Sequence, residues 1–202
     1  LALAREELDL LRMDHPLVAG AFDLLLTGEF GNAAFLVDPA LPARSLLLEG
    51  VYVVECVADV KLDTPRYLPS TPLAVCVDSR LAARDYMPSA PSLLRARERA
   101  LDVSRYRRYL AQLVPPMLEK ADALAAERAL DITGAAVAQA RVALEARVQR
   151  LHALAAINAS VTAEEIAQAE AARDATFAAL SKARPRLDAV RMAVSPDFLT
   201  LR

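Results

Sequence analysis

The period of apolar and polar positions changes more than once along this chain. After Asp14-His15-Pro16, the residues Leu17, Ala21, Leu24 and Leu25 recur at three- and four-residue steps, which predicts a helix to about Thr27. Asp14 or His15 can cap it, Pro16 is tolerated in a first turn that needs no N–H from it, and Gly28 is placed to end it. From Gly31 the period shortens. Ala33 to Val37, Leu46 to Val57 and Leu73 to Val77 are rich in Val, Leu and Tyr and are separated by Pro-containing turns, as strands are. Leu46 to Val57 is apolar on both faces apart from Glu49 and Glu55, which predicts a central strand. Asp63 to Pro72 carries three prolines and reads as a loop or bend.

Beyond Pro91 the helical period returns. Val103, Tyr106, Leu110, Leu113, Met117, Ala121 and Leu124 form a stripe that runs through Pro115-Pro116, where a kink or break is expected. Val137, Leu144, Val148, Leu151 and Ala155 continue it, with Arg141, Glu145 and Gln149 on the flanks. Asn158 closes this arm, and Thr162-Ala163-Glu164-Glu165 makes a capping box with Val161 and Ile166 as its hydrophobic staple. The chain must then reverse. Ile166, Ala169, Arg173, Phe177 and Leu180 form the return face, and the abundant alanines let two helices approach closely. An unbroken first arm from Met117 to Ile157 would span about 60 Å, against about 33 Å for a return from Ala163 to Arg184, unless Gly134 interrupts it. Pro185 is expected to stop the return helix, and Val190, Met192 and Val194 then alternate with Ala189, Arg191 and Ala193 as in a half-buried strand that joins the earlier sheet.

The pattern therefore predicts an α+β fold: a small, mainly antiparallel sheet with packed helices, a long antiparallel helical hairpin, and a final strand returning to the sheet. An α/β part over residues 1–114 and a hairpin plus closing strand over 115–202 are expected, either as two units or as one domain. The 202 residues suffice for a real core. The chain starts on Leu in a helical pattern, so a longer polypeptide is expected to precede it.

Composition narrows the chemistry. The net charge of -2 argues against a surface that is basic throughout, leaving only a local basic patch for nucleic acid. Cys56 and Cys76 are neither clustered as in a zinc site nor dense as in a secreted scaffold, so a reducing cytoplasm is the expected compartment. No apolar run approaches the roughly 20 residues of a membrane span, and a soluble chain without membrane contact is expected.

Single candidates have plain alternatives. Asp14 beside His15 reads as capping rather than an acid/base pair, and His152 as a solvated or interface residue rather than a metal ligand. Glu49 and Glu55 share strand parity but stand about 20 Å apart along a strand, too far for paired catalytic carboxylates. Cys56 and Cys76 fall on neighbouring strands and could face each other, though two small buried side chains account for them as well. No catalytic, cofactor or metal site is expected. The candidate interaction surface is Arg95, Arg97, Arg99, Arg105, Arg107 and Arg108 with Tyr106 and Tyr109 interleaved, a basic face that could contact RNA, DNA or an acidic protein. A solvated helix face with its tyrosines in the core is the alternative.

Several segments resemble the C-terminal region of the RapA family of RNA polymerase-associated, SWI/SNF-type ATPases. They are Asp14-His15-Pro16-Leu17-Val18 with Asp23-Leu24-Leu25-Leu26-Thr27-Gly28, Ala40-Leu41-Pro42 with Leu46-Leu47-Leu48-Glu49, Val51-Tyr52-Val53-Val54-Glu55, and Tyr67-Leu68-Pro69-Ser70-Thr71-Pro72. Near the end come Arg150-Leu151-His152-Ala153-Leu154-Ala155-Ala156-Ile157-Asn158 and Arg186-Leu187-Asp188-Ala189-Val190-Arg191-Met192, in the expected order. The resemblance implies a parent with two upstream motor lobes that bind ATP and magnesium, move on nucleic acid and return RNA polymerase to use. It also implies core or holoenzyme polymerase and those lobes as partners. This chain has no G-x-x-x-x-G-K-[ST] loop, so ATP chemistry is expected to lie outside it. A non-catalytic docking, bracing or regulatory module is the expected role, and a self-association module built on the long helix is the rival.

Overall fold

The computed structural model describes residues 32–86 and 106–200. The chain divides into two compact units, Leu1–Asn32 and Ala33–Arg202, and the description below is of the second. The helix expected from Asp14 to Thr27 and the stripe residue Val103 lie outside the described residues.

Five strands form one sheet: β1 (Ala33–Val37), β2 (Leu46–Glu55), β3 (Thr71–Asp78), the two-residue β4 (Ala83–Arg84) and β5 (Arg184–Val194). Their order is β1-β5-β2-β3-β4. Only β1 and β5 run parallel, so the sheet is mainly antiparallel, as the sequence predicts. The final strand does return to the sheet, and it does so in the middle, between β1 and β2. Strand β2 is central, and it ends at Glu55 rather than Val57. Strand β3 begins at Thr71, so Thr71 and Pro72 belong to the sheet and the bend before them is shorter than expected. Within that bend Thr64–Arg66 makes a 3-10 turn that carries Tyr67 and Leu68 into the core.

The first helix, α1 (Arg107–Ala155), is unbroken over 49 residues, about 74 Å at about 1.5 Å per residue. The break expected at Pro115-Pro116 does not occur. The carbonyls these prolines leave unbonded belong to Ala111 and Gln112, both exposed to water, while Leu113, Val114, Met117 and Leu118 pack on the sheet from both sides of the dipeptide. Gly134 does not interrupt the helix either. It is an exposed position with nothing near its missing side chain.

Helix α2 (Ala163–Leu180) starts where expected, with the Thr162 hydroxyl accepting from the Glu165 N–H at 3.2 Å. It ends at Leu180 rather than running to Arg184. The Lys182 and Ala183 N–H groups bond three residues back, tightening the last turn, and Arg184 already pairs with Glu55. Pro185 is therefore not the stop of a helix; it sits in β5 opposite Val54. Since β1 covers only Val190–Val194, β5 has a single neighbour at Pro185, the setting in which a strand tolerates proline.

Packing follows strand parity. Leu46, Leu48, Tyr52, Val75, Val77, Met192 and Val194 face α1 and meet Met117, Ala121 and Ala125. Further along, Ala129, Ala136 and Ala140 of α1 pack with Val54, Tyr67, Leu68 and Leu180. Ala121, Ala125 and Ala129 stand four apart, as do Ala136 and Ala140, and their lack of bulk brings α1 close to the sheet and to α2. Phe177 of α2 lies under the Arg141 guanidinium at 5.0 Å.

One residue on this face sets the distance between layers. A side chain on Gly50 would meet the Tyr52 ring at 2.7 Å, so only glycine lets that ring lie back over β2. The Tyr52 hydroxyl then donates to Asp122 Oδ1 on α1 at 2.6 Å. Burial, the hydrogen bond to Asp122 and its negative charge together raise the phenol well above its ordinary value.

Gly50→Ala is expected to cost about 2 kcal/mol and Tyr52→Phe about 1 kcal/mol in urea denaturation. Combined, they should cost less than the sum, because both act on one contact. Since the Tyr52 phenol holds its proton more tightly when folded, its contribution is full below about pH 10 and declines as the pH rises further. Tyr52→Phe should flatten that alkaline decline in a stability-versus-pH series.

Candidate interaction surfaces

Two surfaces carry the charged and aromatic groups that a partner could read. The first is the N-terminal end of α1. Arg107 and Arg108 are exposed in its first turn, where they add to the positive end of the helix dipole. Tyr106 and Tyr109 tilt against Phe198 at 5.7 and 5.9 Å. Tyr106 is half-buried, as the stripe predicts, while Tyr109 keeps 49% of its surface exposed. Three of the candidate residues, Arg107, Arg108 and Tyr109, are thus together on one helical turn. Arg95, Arg97, Arg99 and Arg105 lie outside the described residues.

The second is the sheet face turned away from α1, which is unusually polar for a sheet with a buried centre. Glu49 of β2 and Arg191 of β5 are register partners and form an ion pair, with side chains only 11% and 26% exposed. The Arg191 Nε–H is buried without an acceptor, so Glu49 is what compensates this guanidinium. Cys76 stands opposite Glu49 on the other side, packed with Leu36, Leu47 and Ala193. Burial, with the Glu49 carboxylate beside it, pushes the Cys76 thiol up to about 11.

Nearby, the Tyr86 hydroxyl donates to Asp38 Oδ2 at 2.8 Å, and Asp38 also accepts from the Ala40 N–H at 2.9 Å. Burial and the Asp38 carboxylate raise the Tyr86 phenol. Asp78 organises the turn between β3 and β4. It accepts from the Arg80 and Ala82 N–H groups at 2.9 and 3.0 Å, and from Nε and Nη2 of Arg84, both at 2.7 Å. Burial alone would raise the Asp78 carboxyl, but these donors outweigh it and hold it below the usual range.

Between this turn and the β1–β2 loop lies a cleft of about 430 Å³ bordered by Pro42, Arg44, Arg80, Arg84 and Tyr86. Sequence reasoning missed it. Asp78 followed by Ser79 at the end of a strand was a readable turn signal, but nothing local joins Arg44 to Arg80.

The remaining sequence candidates separate. Glu49 and Glu55 each have their own arginine on β5, Arg191 and Arg186. Cys56 packs with the α2 side of the core and Cys76 with the opposite sheet face, and both are free thiols. His152 Nε2 meets Glu170 Oε1 at 3.1 Å across the hairpin while its side chain stays 56% exposed, so it is at once solvated and part of the seam between the helices. Among the described residues, no group of three or more His, Cys, Asp or Glu side chains could hold a metal ion, and no described helix is long and apolar enough to cross a membrane.

The model of the RNA polymerase recycling family C-terminal region matches residues 1–195. The chain belongs to that family. Its relatives include the RNA polymerase-associated protein RapA of Actinobacillus succinogenes, 35% identical over 200 residues, that of Klebsiella pneumoniae, 35% identical over 198, and that of Yersinia enterocolitica, 36% identical over 198. Each alignment covers 96% of this chain but only 20 or 21% of the relative. The recycling-family chain thus spans about a fifth of the length of these relatives. The resemblance seen in the sequence is confirmed, and it reaches across the segments that carry both surfaces.

Arg191→Ala, which strands Glu49 in the sheet, should destabilise the protein by about 3 kcal/mol in denaturation. In thiol labelling at pH 8, Cys76 is expected to stay unmodified in the native protein and to react only on unfolding, because it is both buried and protonated.

Proposed function

We propose that this chain is a non-catalytic module of a longer, ATP-dependent translocase associated with RNA polymerase, where it docks or braces the motor and so supports polymerase recycling and transcription. The observation that carries this reading is the family match over nearly the whole chain, at a fifth of the length of relatives named for their association with RNA polymerase. Core or holoenzyme polymerase and the motor lobes upstream are its partners in this reading, and ATP and magnesium belong to those lobes.

The physical form supports a docking role. A helix of 49 residues lies across the sheet and continues into the hairpin with α2, so a load at one end is carried by a single rigid element. Arg107, Arg108 and Tyr109 give one end of it a positive, partly aromatic surface suited to an acidic protein face. Self-association is the second reading, favoured by Leu130 and Val142, which are 69% and 75% exposed on α1.

Pull-down of core RNA polymerase with this chain tests the docking reading. Binding is expected, and Arg107→Glu combined with Arg108→Glu should weaken it by about tenfold. No binding by the chain, together with normal polymerase binding by a parent lacking it, would refute docking. Light scattering across a concentration series decides the rival, since a strict monomer excludes it.

A further inference from the structure

We infer that Pro115-Pro116 is a hinge within α1, at which residues 107–114, the first two turns of the helix, open and close as a unit while the helix from Pro115 onward stays intact. The turn that brings Arg107, Arg108 and Tyr109 together is assembled only in the closed form. Its use as a switch for docking rests on the reading above; the hinge itself does not.

An α-helical N–H bonds the carbonyl four residues back, so residues 107–114 are held to one another through the N–H groups of Ala111, Gln112, Leu113 and Val114. The next two donors are missing, because Pro115 and Pro116 have no N–H. Only the Met117 and Leu118 N–H groups then bridge back across the dipeptide, to Leu113 and Val114. A helix that begins at Pro115 keeps the second of these bonds, since Val114 as its N-cap still accepts from Leu118. It also has proline at its first two positions, where an N–H has no helical partner in any case. Opening residues 107–114 therefore costs the remaining helix a single bond. It relieves a conflict as well. A residue before proline is disfavoured in the helical region and favoured in the extended one, which is what an N-cap adopts, and Val114 is such a residue, held helical in the closed form.

Packing changes at the same place. None of residues 107–114 is buried: Leu110, Leu113 and Val114 are half-buried against the core, and Arg107, Arg108, Tyr109, Ala111 and Gln112 are exposed. Full burial starts just past the prolines, at Met117, and recurs at Ala121 and Ala125. The helix beyond the dipeptide is thus anchored in the core by itself, whereas the two turns before it lean on the core through three side chains. What closes them is the contact of the Tyr106 and Tyr109 rings with Phe198, a buried residue of the 3-10 turn Pro196–Thr200. That turn is itself fixed, because Asp197 accepts the Arg44 N–H at 2.7 Å. Opening releases the Tyr109 ring from this base and disperses the two arginines beside it.

The test is hydrogen exchange of the whole chain read residue by residue by NMR, without polymerase, so that failure of the hinge and failure of docking are told apart. The amides of Ala111 to Val114 should share one protection factor, about a hundredfold below those of Ala121 to Ala129. Pro115→Ala combined with Pro116→Ala supplies donors to the Ala111 and Gln112 carbonyls. It should raise the protection of Ala111 to Val114 by about tenfold. Tyr109→Ala, which takes a ring off Phe198, should lower it by about fivefold and leave Ala121 to Ala129 unchanged. If the wild-type chain binds polymerase, the double proline variant should bind at least as tightly, because it favours the form that presents the docking turn; weaker binding would overturn the switch. The hinge is overturned if Ala111 to Val114 are protected as strongly as Ala121 to Ala129, or if protection rises evenly along the helix with no step at the prolines. It is also overturned if the double proline variant, shown to be folded by circular dichroism, protects those amides no better than the wild type does.

Discussion

Strand β5 is hydrogen-bonded on both sides along Val190–Val194, to β1 in parallel and to β2 in antiparallel register. The sheet therefore cannot close until the chain has laid down the whole α1–α2 hairpin and returned. The bond from the Ser45 N–H to Ser195 Oγ joins residues 150 apart in sequence, and similar spans tie Arg44 to Asp197 and Glu49 to Arg191. Such non-local pairing is entropically costly to form, and what compensates it is the burial of Met192, Ala193 and Val194 on both faces of the sheet. The hairpin is not an appendage in this architecture. It is the connection that delivers β5, an interior strand, to its place between β1 and β2.

The same strand divides the molecule into two chemically different sides. Even positions of β5 from Val190 to Val194 face α1 with an apolar layer whose spacing is set by Gly50 and the bond from Tyr52 to Asp122. Odd positions put Arg191 against Glu49 and lead to the polar layer of Asp38, Tyr86 and Asp78. The far side has no helix of its own among the described residues, and apart from the Glu49–Arg191 pair its buried acids, Asp38 and Asp78, are met by loop and turn groups. Those loops are what bring Arg44, Arg80 and Arg84 to one cleft.

This division explains what could be read from the residues alone. Helix α1, helix α2 and the parity of β2 and β5 were legible because each is written in a local period: Met117, Ala121 and Ala125 at steps of four, Val190, Met192 and Val194 at steps of two. Pro115-Pro116 misled, because a proline's effect depends on whether the freed carbonyl can reach water and whether packing spans the site, neither of which is local. Pro185 misled for a related reason: it ends no helix, and it lies in β5 where only one neighbouring strand is present. The arginine cleft was illegible because its members meet only through sheet order and two left-handed turn residues, Arg44 and Leu81. The Arg107, Arg108 and Tyr109 turn was legible as a basic, aromatic stretch, and the position of Tyr106 in the core was legible from the same stripe.

If β5 is the strand on which the rest depends, its amides should be among the last in the protein to open. Native-state hydrogen exchange measures this directly. The N–H groups of Val190 to Val194 and of Leu47 to Val51 are expected to share the slowest class and to exchange with the free energy of global unfolding, while the hairpin apex around Asn158 exchanges faster. Exchange of the β5 amides through a local opening well below the global free energy, with β2 and β3 still protected, would contradict that account.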